Sequence, residues 1–123
     1  MNYDVNVKDN EVVMILMDGA HALAKAEDQK AEEVRNAEES NEETIRWTKY
    51  RYLKARAMYA SLLYTFARNQ TAEAKTYTPD TPVGRADLAV YAAKRDKAKA
   101  EYTLAALIAG EAEDAWRESH RNK

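Results

Sequence analysis

Bases interleaved with aromatic rings mark the stretch of this chain best suited to act on a ligand: Arg46-Trp47-Thr48-Lys49-Tyr50-Arg51-Tyr52-Leu53-Lys54-Ala55-Arg56. Cations attract phosphates and flat rings stack on bases, so the segment is a candidate surface for single-stranded nucleic acid. A helical wheel at ~100° per residue works against that use. Lys49 and Arg56 flank one side of an apolar seam and Arg51 the other, while Arg46 and Lys54 lie elsewhere. Ile45, Tyr52 and Tyr59 fall inward, and Tyr50, Leu53, Ala57 and Tyr64 form a second apolar stripe. The rings therefore read as core, with basic side chains snorkelling at its rim.

Charge is unevenly placed. Between Glu27 and Glu43 there are eight acids and two bases; between Arg46 and Arg56 there are five bases and no acid. Each block reads either as a solvated helix face or as one half of a pairing between subunits. The candidate interaction surface is thus Glu32, Glu39, Arg46, Lys49, Arg51, Lys54 and Arg56.

Other constellations are thinner. Asp18 and His21 share a helix face in an Asp-x-x-His pattern, but di-iron bundles need two such pairs and further carboxylates. His120 lies near the end of the chain. Ser40, Ser61 and Ser119 have no histidine at helical spacing, and Gly19, Gly84 and Gly110 stand alone, so no phosphate cradle forms. Glu27 and Glu38 fall at seam positions, where an unpaired carboxylate is costly. The expectation is a protein that is not an enzyme and needs no metal or cofactor.

The elements that hold these residues are helices. The 123 residues include three Gly, two Pro and no Cys, and a third are charged with a net of only −2. Such a balance belongs to long helices in a single domain, names no polyanionic partner, and suits a reducing cytoplasm. The longest apolar run, Val12 to Met17, is too short to span a bilayer.

Tyr3, Val5 and Val7 alternate as an extended arm over residues 1–9, and Asp9 or Asn10 caps a helix. One heptad phase then holds through Met17, Ala24, Ala31, Glu38, Ile45, Tyr52, Tyr59 and Phe66. It predicts one helix from about Glu11 to about Ala74, ~90 Å long. A break is the alternative, near Ser40, where Ser40 and Glu43 form a capping-box pattern. Two prolines and a glycine in residues 76–84 make a loop. A second helix from about Arg85 to Arg121 carries the stripe Leu88, Tyr91, Arg95, Ala98, Tyr102, Ala105, Ala109, Ala112 and Trp116. Leu104 and Leu107 are expected opposite Tyr59, Leu62 and Phe66.

At ~37 residues the second helix is ~55 Å long and cannot cover Val12 to Val34. Either the first helix breaks and closes a three-helix bundle, or its front half projects onto another copy. Projection is the preferred reading: a long helical hairpin, dimeric or larger, in which acidic and basic blocks pair about residue 43.

From Trp47 onward the chain resembles a loose class of small all-helical phage proteins. The residues that carry the likeness are Tyr52-Leu53-Lys54-Ala55-Arg56-Ala57-Met58-Tyr59, the Thr78–Arg85 loop, and Arg95-Asp96-Lys97-Ala98-Lys99-Ala100-Glu101. The resemblance implies a phage-encoded accessory factor in the host cytoplasm, near recombination or replication or acting against a host system. The expected function is to bind another protein, as an accessory or inhibitor; the alternative is a single-stranded nucleic-acid-binding recombination or replication factor.

Overall fold

The computed structural model describes residues 3–121. Three helices follow a short arm: α1 (Asn10–Asn36), α2 (Glu42–Tyr77) and α3 (Pro82–Arg121), and the described residues contain no strand. The all-α expectation holds. The single long helix does not, because the chain leaves helix between Asn36 and Glu42.

Local chemistry explains that break. Ser40 and Asn41 are residues whose side chains compete for backbone groups. Asn41 caps α2 by accepting from Thr44 N–H at 2.8 Å, in place of the expected Ser40–Glu43 box. Glu42 and Glu43 then sit in the first turn, where the helix dipole favours acids. Glu38, expected in a seam, lies in the turn and is exposed.

Tertiary packing completes the account. Instead of projecting, α1 folds back antiparallel on α2 and buries its own seam against the heptad seam of α2. Val13, Ala24, Glu27 and Ala31 are buried in α1, with Met17 and Ala20 half-buried between them and Val34 half-buried after them. In α2, buried Thr48, Ala55 and Leu62 alternate with half-buried Ile45, Tyr52, Tyr59 and Phe66. The heptad phase read from the sequence is this seam.

The second apolar stripe of α2 meets α3. Trp47 and Tyr50 pack on Trp116, with ring centroids 4.5 and 6.2 Å apart, and Tyr64 stacks on Tyr102 at 6.3 Å. All nine stripe positions of α3 are buried or half-buried. Leu104 and Leu107, however, stay exposed, Leu104 on an open groove that Tyr59 also lines. The two seams of α2 diverge too widely for one residue set to serve both partners.

Nor does a closed bundle form. The α1 and α3 backbones nowhere approach within 8 Å (Cα to Cα); each packs on α2 alone. The three helices form an open layer with α2 in the middle. In the second turn Thr81 Oγ1 accepts from Gly84 N–H at 3.0 Å, and Pro82 opens α3, three residues earlier than expected. Gly84 is required here, since a Cβ would lie 2.0 Å from the Pro79 carbonyl oxygen.

Candidate interaction surface

The basic–aromatic segment divides between contacts within the chain and open surface. Arg46 is drawn into the α2–α3 contact, donating to the Ala115 carbonyl at 3.0 Å and to Ser119 Oγ, and pairing with Glu42. Arg51 pairs with Glu27 at 3.0 Å and lies 5.8 Å from the Trp47 ring centroid. Arg56 covers Tyr52 at 5.7 Å. Lys49 and Lys54 are exposed, as are Glu32 on α1 and Glu39 in the turn. Trp47, Tyr50 and Tyr52 spend their faces on partners within the chain, so no open ladder of rings remains for bases. Acidic and basic blocks do meet, through Glu27 and Arg51, but inside one chain.

Asp18 and His21 are exposed, and the His21 ring packs 5.3 Å from that of Tyr59. Among the described residues no three His, Asp or Glu side chains gather into a metal-binding group. No described helix is long and apolar enough to cross a membrane.

A different polar constellation was not read from the sequence. The arm lies along α2, and its alternate carbonyls are taken by side chains of one helix face. Ser61 Oγ donates to Tyr3 O, while Thr65 Oγ1 and Arg68 Nη2 each lie 3.1 Å from Val5 O. Asn69 Nδ2 donates to Val7 O at 2.7 Å. Tyr3, Val5 and Val7 turn partly inward, and Asp4, Asn6 and Lys8 are exposed. Two residues of extended chain advance ~6.6 Å and four residues of helix ~6.0 Å, which lets Ser61, Thr65 and Asn69 meet every second carbonyl. That polar i, i+4 row between two apolar stripes was the available signal.

The arm also ties α2 to α3: Tyr3 N–H donates to Tyr102 Oη at 2.9 Å. Burial first, then Tyr50, Glu113 and Tyr102 nearby, pushes the Tyr3 hydroxyl up to about 12. Burial likewise raises Tyr50, with Glu113 beside it, and Tyr102. These phenols stay protonated near neutrality. They serve as hydrogen-bonding struts rather than as bases.

What the layer offers outward is apolar. Val12, Met14, Ile15, Leu16 and Leu23 are exposed on α1, with Ile15 at 71%, and Leu104, Leu107 and Ile108 on α3, with Leu107 at 63%. Leu104 and Ile108 line a groove of about 340 Å³ with Leu53, Tyr59, Ala60 and Leu63. Compared with known proteins, the chain matches no family model, no curated protein and no solved structure.

Proposed function

We propose that the protein is a non-enzymatic helical interaction factor that binds another protein, in the manner of a phage accessory or inhibitor protein. One observation carries this reading. Large aliphatic side chains stand in water on α1 and α3, although both inner seams are already filled. Grouped exposed apolar side chains of this kind mark interaction sites. The phage assignment rests on the composition and loop pattern of residues 47–123.

The test is a pull-down from host lysate, with and without nuclease, comparing the wild type with Ile15→Glu and Leu107→Glu. A specific protein that survives nuclease and is lost with either variant supports the reading. Recovery of nucleic acid alone, abolished by charge reversal at Lys49, Lys54 and Arg56, would replace it with the single-stranded nucleic-acid-binding function.

A further inference from the structure

The contacts between α1 and α2 are centred on the turn that joins them. Asn10 stands 29 residues before residue 39 and its hydrogen-bonded partner Asn69 stands 29 after residue 40. Glu27 and Arg51 lie 12 before and 11 after; His21 and Tyr59 lie 18 before and 19 after. The seam, moreover, keeps alternating steps of four and three across the turn: Val34, Glu38, Asn41, Ile45. A loop under no constraint but closure has no reason to preserve a helical phase.

The turn also lacks the usual stops. Residues 37–41 (Ala-Glu-Glu-Ser-Asn) contain neither Gly nor Pro, and no described residue has a positive φ. Besides the Asn41 cap, the backbone bonds within the turn are Ala37 N–H to Val34 O at 3.2 Å and Ser40 N–H to Ala37 O at 3.4 Å. Every turn residue can therefore enter a helix.

From the unbroken phase and this permissive turn we infer that the α1–α2 turn is an exchange hinge through which a second copy of the chain pairs with the first. Residues 37–41 straighten, residues 10–77 become one helix of ~100 Å, and two such helices cross antiparallel at residues 39 and 40. The α1 seam and the arm of each copy then dock on α2 and α3 of the other, with the contacts seen within one chain. New at the two-fold axis is the layer where Glu38 of one copy faces Asn41 of the second, a carboxylate against an amide donor. Such an isologous exchange is domain swapping. A short linker holds its ends at an effective concentration of order 1 mM, so the closed hairpin dominates in dilute solution and exchange needs crowded refolding. Ile15 and Leu107 stay exposed in both forms, because the contacts are the same, so the pull-down above is decided separately.

The experiment is to unfold the chain in urea, refold it at ~1 mM, dilute and sediment it, alongside two variants. Wild type should yield a dimer that persists on dilution. Inserting Gly-Gly between Glu39 and Ser40 leaves the hairpin register intact but rotates the seam of a continuous helix by ~200°, so its dimer fraction should fall at least ~10-fold. Deleting residues 36–42 removes one heptad, keeps the seam in phase and leaves no turn, so this chain should be dimeric at every concentration. A monomeric deletion variant overturns the inference. So does an equal dimer fraction in wild type and the insertion variant, zero included, even if the deletion variant fails to fold.

Discussion

Removing Arg51 tests how much of the hairpin depends on one ion pair. Glu27 occupies a seam position between Ala24 and Ala31, and its side chain is 11% exposed. Its Oε1 meets Arg51 at 3.0 Å, whereas Oε2 is buried without a hydrogen-bond partner. Stripping one member from a buried pair costs about 3–5 kcal/mol. The Arg51 side chain is 44% exposed, so water screens the pair, and the expected loss for Arg51→Ala is about 1.5–3 kcal/mol. Glu27→Leu acts in the opposite sense: it removes the unsatisfied oxygen and adds apolar contact to a seam rich in alanine. It should be neutral or stabilising by up to about 2 kcal/mol, and the double variant should stay near the single Leu variant. Urea unfolding followed by circular dichroism reads all three, provided the slope with denaturant is unchanged. A loss below about 0.5 kcal/mol for Arg51→Ala, or a larger loss for Glu27→Leu than for Arg51→Ala, refutes the argument.

Gly84→Ala should destabilise by about 1–3 kcal/mol in chemical unfolding, because the new Cβ collides with backbone rather than with a side chain that can swing away. Ser61→Ala with Thr65→Val removes two of the donors to the arm; hydrogen exchange should show residues 3–9 losing protection while the amides of α2 keep theirs. The buried phenols give an alkaline limit. The Tyr3 hydroxyl is raised to about 12 from an ordinary 10, so the folded state holds its proton where the unfolded chain has released it. Stability is therefore fully present below pH 10 and falls as pH climbs toward 12, and a Tyr3→Phe variant should show a shallower decline in thermal unfolding across that window.

Periodicity made the seams legible. The heptad through Met17, Ala24, Ala31, Ile45, Tyr52, Tyr59 and Phe66 is buried or half-buried at each of those positions, as is every stripe residue of α3. The register of pairing was not legible, because a phase unbroken from Val34 to Ile45 fits both a straight helix and a hairpin. Only the cost of leaving the α1 seam in water decides between them within one chain. Leu104 and Leu107 misled for a related reason: hydrophobicity signals burial, but an open layer leaves apolar faces without an inner partner. At the candidate surface, Arg51, read as flanking the seam, pairs with Glu27, whereas Arg46, read as lying away from it, is drawn into the α2–α3 contact. The hold of α2 on the arm went unread because it joins a period of two to a period of four across 58 or more residues.

That mismatch of periods has a consequence for size. Each rung from one arm carbonyl to the next helix donor slips by ~0.6 Å, the difference between two extended residues and four helical ones. Across Tyr3, Val5 and Val7 the slip totals ~1.2 Å, within the reach of the rotating hydroxyls of Ser61 and Thr65, the Arg68 guanidinium and the longer Asn69 amide, which supply the donors in that order. A fourth rung would stand ~2 Å out of step, beyond hydrogen-bonding tolerance. The arm therefore behaves as a vernier with a fixed number of coincidences. The number of rungs is set by the difference between two repeat distances rather than by the length of the groove on α2.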